Sequence, residues 1–441
     1  MDILTRIADA MQGVLTETAD TMAIETGFVK RQRKVTGSRF AQTLVFGWLD
    51  NPDATLDELT QTGVDIGLEI SPQGLDQRFT QQAADCLHGV LEEAVSVVIA
   101  ADPVAIPVLQ RFNGVYLQDA STIVLPDALG EVYPGCGGST SENTSASVKL
   151  HPRWDLITGK LAGLCLQSGR EHERNSCLQP ESLPPGSLWI VDLGYFSLEE
   201  YASMDAQGKY WLSRVNSQCH LYDDNGKLWN LVDFLEKHCH REIDSQVLLG
   251  AKEQLPCRLL AVRVPKEIAA VRHARLKAEA RRKGRKVSKR ALKLANWTVL
   301  CTKVPPELLS LSEAFVLMRA RWQIELLFKL WKDQCHVDEW RSEKPWRILC
   351  EVYAKLIGII IQNWILLSGS WHRPERSLWK GAKTIRKHST YLAIAFASGC
   401  RQRLHEALRV IQRCLSLGSG ISKRKTKPST YQLLLELTGD S

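Results

Sequence analysis

Two short apolar runs, Gly114-Val115-Tyr116-Leu117-Gln118 and Leu188-Trp189-Ile190-Val191, read as β-strands that stop on Asp119 and Asp192. Strands rich in β-branched and aromatic residues belong inside a sheet, so each carboxylate is delivered to the rim of a buried core. In α/β folds that rim, at the C-terminal strand ends, is where ligand sites gather. One such Asp is usually a turn former or helix cap; two are suggestive only. The β signal continues at Ser147 to Leu150, Leu161 to Leu166, Tyr210 to Leu221, Gln246 to Leu249, Arg258 to Val264 and Trp297 to Thr302. Asn225-Gly226 predicts a hairpin turn among them. Residues 1–105 and the chain beyond Pro306 read as helical.

A helix expected from Leu311 to about Lys332 sharpens the case. With Glu325 as reference, Met318, Arg321 and Lys332 fall within about 40° of it at 100° per residue. Ile324, Leu326, Leu327, Leu330 and Trp331 take the remaining surface. A helix this apolar is buried on most sides, so its Arg-Glu-Lys stripe should line a cleft or pair internally.

Charge points to the partner. The net charge is only +7, but basic residues far outnumber acids between Arg263 and Lys293, centred on Arg281-Arg282-Lys283 and Arg285-Lys286. Lys423-Arg424-Lys425 with Lys427 form a second basic knot. Such concentrations suit a polyanion, most commonly nucleic acid, although a solvated basic helix has the same composition. Near the N-terminus, a helix starting at Leu56-Asp57-Glu58-Leu59 and another at Ser71-Pro72 suggest a helix-turn-helix. The second would expose Gln73, Asp76, Gln77 and Arg78, residue types that read base edges or hold phosphates. The opening Met1-Asp2-Ile3-Leu4-Thr5-Arg6 carries no export signal, and Leu356 to Leu367 is too short for a membrane span. A cytoplasmic, nucleoid-associated protein without membrane contact is expected. Twelve scattered cysteines without a CxxC pair should be reduced thiols, mostly buried.

Met318-Arg-Ala-Arg-Trp-Gln-Ile-Glu-Leu-Leu-Phe-Lys-Leu-Trp-Lys332 resembles the Y-x2-R-x3-E-x6-K signature of the DDE transposases of insertion sequence family four, which includes the Tn-five transposase. Arg321, Glu325 and Lys332 match its last three positions, and Met318 stands where the family carries Tyr. Leu117-Gln118-Asp119-Ala120-Ser121-Thr122 and Val191-Asp192-Leu193-Gly194-Tyr195-Phe196-Ser197 resemble the family's first and second catalytic strands. The long β-rich interval from Asp192 to Glu325 is similar to the family's insertion domain.

The resemblance is good over residues 106–370 and looser in the N-terminal helices. It implies an α/β fold: an RNase H-like catalytic core interrupted by a mainly β insertion domain, with helical N- and C-terminal regions. The expected division is 1–105 helical DNA-binding domain, 106–205 first part of the core, and 206–305 insertion domain with a basic arm. Residues 306–370 would be the second part of the core with the catalytic helix, and 371–441 a helical region suited to dimerisation.

It also implies cut-and-paste transposition through a DNA hairpin, with two Mg²⁺ ions (Mn²⁺ as substitute) held by Asp119, Asp192 and Glu325. Hard oxygen ligands suit Mg²⁺, and two such ions serve in-line displacement at phosphorus. Arg321 and Lys332 would hold phosphates, Trp297 would stack on an unstacked base, and Arg214 and Arg78 would touch DNA. The partners implied are double-stranded DNA, as terminal inverted repeats and target, and a second copy of the chain on paired ends.

Three other readings stand beside this one. Met318 lacks the signature hydroxyl, a loss on the order of 1 kcal/mol, and favours a weak or silent transposase-derived repressor or inhibitor. A nuclease of the RNase H type without strand transfer fits the acids but not the long insertion. Cys219-His220 and His238-Cys239-His240 could offer zinc ligands, at a spacing that matches no common module.

Overall fold

The computed structural model describes residues 2–31, 34–136, 146–238, 240–371, 373, 376–421 and 430–436. The basic knot at Lys423 to Lys427 and Cys239 lie outside the described residues. The N-terminal region is helical: α1 (Ile3–Gln12), continued by one π turn (Gly13–Thr18), α2 (Ala19–Glu25), α3 (Gly37–Asp50), α4 (Leu56–Asp65), α5 (Pro72–Asp76), α6 (Gln81–Ser96) and α7 (Pro107–Gln110). Thr55 and Glu58 form a reciprocal capping box at the start of α4, and Ser71 caps α5 with Pro72 in its first turn. As a helix-turn-helix the pair is short: α5 has only five residues. Gln73, Gln77 and Arg78 are exposed as expected. Asp76 is not free, because Lys344 and Arg347 hold its carboxylate.

One continuous sheet of eleven strands follows. Its first six are β1 (Val115–Gln118), β2 (Ser121–Val124), β3 (Ser147–Asp155), β4 (Leu161–Ser168), β5 (Leu188–Ile190) and β6 (Tyr210–Arg214), with α8 (Leu198–Ala206) between the last two. β3 pairs antiparallel with β1, β2 and β4, whereas β5 pairs parallel with both β1 and β6. The order β4-β3-β1-β5-β6, three antiparallel strands then two parallel ones, is consistent with an RNase H-like core.

The sheet then continues without a break. Beyond β6 come β7 (Leu221–Tyr222), β8 (Leu228–Trp229), α9 (Leu231–Lys237), β9 (Glu242–Leu249), β10 (Leu255–Arg263), α10 (Lys266–Arg282), α11 (Lys289–Leu294) and β11 (Trp297–Thr302). β11 returns to pair with β6, and β10, β9 and β7 add outward from it. The single strand expected over Tyr210 to Leu221 is in fact two. Asn216 turns the chain, its side-chain oxygen accepting from Gln218 N at 3.0 Å and its carbonyl from Cys219 N at 3.0 Å. Asn225-Gly226 makes the predicted hairpin, with Gly226 at φ 73° and Asp223 accepting from both Asn225 and Lys227 backbone amides.

The remaining helices are α12 (Leu311–Ala320), α13 (Trp322–Cys335), α14 (Pro345–Ser370), α15 (Leu378–Lys387), α16 (Ser389–Ala397), α17 (Arg401–Gly418) and α18 (Thr430–Glu436). The single helix expected from Leu311 to Lys332 is divided at Arg321, which keeps right-handed helical dihedrals (φ −51°, ψ −33°) and so preserves the stripe. α14 is long and apolar enough to cross a membrane, yet 94% of its most apolar window is buried, against α3, α6 and α17 among others. It is the central helix of the core. The thiol expectation needs one correction: Cys165 and Cys177, brought face to face by β4 and the loop after it, form a disulfide. Five of the nine free described cysteines are buried.

Candidate active site

The parallel pairing of β1 with β5 does the first part of the assembly. Leu117 lies opposite Ile190, so two residues on in each chain Asp119 and Asp192 leave neighbouring strands side by side. Asp119 falls between β1 and β2, where the strand bends, and its Oδ1 accepts from Ala120 N at 2.9 Å. Asp192 Oδ1 accepts from Leu193 N at 2.8 Å. α13 carries the third acid across the sheet end. Arg321 Nη1 donates to Asp119 Oδ2 at 2.7 Å, and its Nη2 lies 2.7 Å from Glu325 Oε1 and 3.4 Å from Asp192 Oδ2. Three carboxylates from three elements thus meet around one guanidinium.

Their electrostatics follow from burial. Desolvation raises the Asp119 pKa; the Arg321 charge opposes this, and Asp192 adds to it. Burial works against the charged form of Arg321, but the three acids outweigh it and raise its pKa. Beneath Asp119, buried Gln118 is locked in place: its oxygen accepts from Arg153 Nε at 2.9 Å and Trp189 Nε1 at 3.2 Å, and its amide donates to Leu178 O at 3.0 Å. A network satisfied in this way fixes the strand end that carries the acid. Behind Asp192, fully buried His151 meets the Tyr195 hydroxyl at 2.9 Å. Burial, with Lys149 nearby, lowers the His151 pKa to about 4, so the ring is neutral.

Comparison with known proteins agrees with this geometry. A family model described as "Transposase DDE domain" matches residues 111–361, the span that holds all three acids. The chain belongs to the DDE transposase family. The transposase for insertion sequence element IS231F of Bacillus thuringiensis subsp. israelensis is 27% identical over 380 residues, covering 80% of this chain and 78% of that one. The transposase for IS1151 of Clostridium perfringens is 22% identical over 372 residues, covering 79% and 77%. A putative transposase InsL for IS186A of Escherichia coli (strain K12) is 29% identical over 226 residues, covering 49% and 60%.

DDE transposase domains generally use divalent metals. The three carboxylates, each within 3.4 Å of Arg321, are hard oxygen donors of the kind such ions take, but the guanidinium stands between them and they are not drawn together as a closed ligand set. The zinc alternative gains no support. Among the described residues the group of three potential metal ligands that lies close together is Asp53, His336 and Glu339, not the Cys219 or His238 segments.

Of the other residues singled out in the sequence, Arg214 touches the acid cluster and Lys332 makes its contacts outside it. Arg214, at the end of β6, has its Nε 3.8 Å from Asp192 Oδ1. Lys332 reaches back to Thr122 O at 3.1 Å and lies 3.5 Å from Asp338. Trp297 opens β11, half-buried, three residues before Leu300, which pairs with Arg214; the Arg263 guanidinium is 5.9 Å from its ring. Arg78 is exposed just past α5 and is not among the described residues that contact the acids. Met318 is only 9% exposed and packs in the main core. Leu326, expected on a buried flank, is 42% exposed, and Trp322 is 54% exposed.

Glu173 was invisible in the sequence. Burial raises its pKa, and the nearby charge of Asp119 adds to this. A Cβ at position 194 would strike its carboxylate, so Gly194 makes the room. Glu173 sits on a single 3₁₀ turn (Glu173–Asn175), too short for any periodicity to mark it. A cleft of about 680 Å³ opens beside Asp192, lined in part by Arg174, Leu193, Gly194, Phe196, Asn216 and Gln218.

Proposed function

We propose that the chain cuts and rejoins DNA at the ends of an insertion sequence, with Asp119, Asp192 and Glu325 as the metal-binding acids. The convergence of these three carboxylates on Arg321 carries the reading. Two Mg²⁺ ions bound there, with Mn²⁺ as substitute, would supply neutralisation of charge on the attacking and leaving oxygens of an in-line displacement. Asp119, Asp192 and Glu325 would together hold these ions. Arg321 then turns from the acids to the phosphate, which a guanidinium grips in a bidentate way, and Lys332 holds a neighbouring phosphate as a point charge.

In this proposal a water oxygen forms a bond to phosphorus as the 3′-oxygen leaves. The freed 3′-hydroxyl attacks the phosphodiester of the opposite strand, expelling the flanking strand's 3′-oxygen and closing a hairpin, which a second hydrolysis reopens before strand transfer. Trp297 stacks on the base displaced by the tight turn, at a contribution of about 1–3 kcal/mol. Arg214 and Arg78 contact the duplex. We place the chain in insertion sequence family four on its signature residues, with the division at 105, 205, 305 and 370. We also propose a homodimer on paired ends through the helices after 371, where Tyr391, Ile394, Val410 and Leu417 are exposed.

The test is incubation with Mg²⁺ and a labelled duplex carrying the element's terminal inverted repeat. Nicked and hairpin products that disappear in Asp192→Ala support the proposal. Buried Met318, with no hydroxyl to offer a phosphate, favours the repressor reading; binding without any cleavage would establish it. Cleavage without hairpins would establish a nuclease.

A further inference from the structure

The α10–α11 hairpin holds most of the chain's unbalanced charge. From Lys266 to Lys293 there are twelve Lys and Arg against Glu267 and Glu279, a net of +10 where the whole chain has +7. The rest of the molecule is therefore net negative, and the basic character of this protein resides in one hairpin.

Its root is built and its far end is bare. Ala269, Arg272, His273, Leu276 and Ala280, spaced as one helical stripe, are the better-covered residues of α10. Arg272 donates to Trp297 O at 2.9 Å and Thr298 Oγ1 at 3.0 Å, and His273 Nε2 lies 2.8 Å from Leu292 O. Arg290 ties α11 to Ser217 O at 2.6 Å. Beyond this root, Arg281, Arg282, Arg285 and Lys286 are all exposed and form no ion pair among the described residues. Gly284, at φ 60°, turns the chain between them. A helix that served only as a solvated spacer would be expected to interleave opposite charges, as i,i+4 pairs do. α10 and its turn have one such pair, Lys283 with Glu279.

The root also adjoins the acids. Burial lowers the Arg272 pKa, and the charge of Arg214 lowers it further, which puts those two guanidinium groups in one neighbourhood. Arg214 is in turn 3.8 Å from Asp192. The 17 residues of α10 extend about 25 Å at 1.5 Å per residue, the length of roughly seven base pairs at 3.4 Å each.

We propose that the α10–α11 hairpin is a phosphate-gripping arm that holds duplex DNA where it runs out of the acid cluster, with Arg281, Arg282, Arg285 and Lys286 as sequence-independent contacts. It deepens the function proposed above by assigning a second DNA surface, and rests on that reading. Phosphate contacts release condensed counterions, so each one adds about 0.9 to the slope of log K against log salt.

The experiment uses the full-length chain, EDTA and a fluorescent 30-base-pair duplex of arbitrary sequence, titrated between about 50 and 300 mM KCl. The quadruple variant Arg281→Ala, Arg282→Ala, Arg285→Ala, Lys286→Ala is compared with Lys227→Ala, Lys237→Ala, Lys252→Ala, Arg341→Ala, four exposed charges outside the hairpin and outside the proposed dimer helices. We expect the arm variant to lose about 3–4 units of slope and bind at least roughly tenfold more weakly at 100 mM KCl, with the control losing less than one unit. Equal losses in both variants would reduce the arm to bulk charge and overturn the proposal. An unchanged slope in the arm variant, with Mg²⁺-dependent cleavage by the unsubstituted chain intact, overturns the arm alone. Failure of the unsubstituted chain to bind duplex at all overturns the arm and the function together.

Discussion

The acid cluster around Arg321 and the hairpin from Lys266 to Leu294 depart from neutrality in opposite directions. In the first, three carboxylates face Arg321, with Arg214 3.8 Å from Asp192, which leaves one negative charge uncompensated in a site where Arg321 is only 8% exposed. In the second, twelve cations face two acids on an exposed helical pair. Buried like charges repel strongly, whereas exposed ones are screened within about 10 Å at 0.1 M salt. The cluster therefore calls for a compact, high charge density, as a divalent ion provides, and the hairpin for an extended polyanion. Arg111 and Glu313 form the balanced counterpart: a two-bonded pair at 2.8 and 3.0 Å between the approach to β1 and the start of α12. On the function proposed above, balance there belongs to structure and imbalance in the other two to binding.

Breaking the deficit should have the largest effect. Asp119→Asn, Asp192→Asn and Glu325→Gln should each slow single-turnover cleavage on the order of 10³-fold or more, and pairs of them should be little worse than one, because the ligands act as a unit. Additive losses would mean that the three acids do not share a site.

Arg321→Ala sharpens the comparison, since it removes the internal counter-charge and the proposed phosphate contact together. Cleavage should fall on the order of 10²-fold, while Mn²⁺ binding without DNA should tighten by roughly tenfold. If both weaken, the guanidinium organises the acids rather than competing with the ion.

The balanced pair should respond only in stability. Glu313→Gln should lower unfolding free energy by about 1–3 kcal/mol in urea titrations, with DNA binding unchanged. Burial opposes ionisation of Glu313, but the bonds from Arg111 and Ser310 outweigh it and hold its pKa below the ordinary 4.5. A depressed carboxylate contributes stability above its unfolded pKa and loses it as pH falls through the folded one. The difference between Glu313 and Gln should therefore be full above about pH 5, shrink as the pH falls below 4.5 and vanish below the folded pKa.

The smallest effect is expected at Glu279→Gln. It leaves thermal stability unchanged while freeing Lys283, and should strengthen duplex binding by roughly a fewfold at low salt. Weaker binding would argue that Lys283 does not face the DNA.

The residues of the cluster were legible in the sequence because each sits in a regular element. Asp119 and Asp192 end apolar strands, and Glu325 shares a helical face with Arg321 that the division of the helix leaves intact. Their convergence on Arg321 was not legible, since it depends on the parallel register of β1 with β5 and on where α13 crosses the sheet. The same limit hid the continuity of the sheet: nothing in β11 signals that it pairs with β6 rather than starting a separate sheet. Glu173 lies on one 3₁₀ turn and the Cys165–Cys177 bond partly in irregular loop, where spacing carries no directional information. The division of the expected Tyr210 to Leu221 strand came from one side-chain hydrogen bond at Asn216, which outweighs local β propensity.

The central claim, that the three acids form one divalent-metal site, is tested most directly by Mn²⁺ titration of the full-length chain with free ion counted by electron paramagnetic resonance. The account predicts bound Mn²⁺ in the unsubstituted protein, and loss of that binding in Asp119→Asn, Asp192→Asn and Glu325→Gln alike. Equal Mn²⁺ occupancy in all four proteins would contradict it.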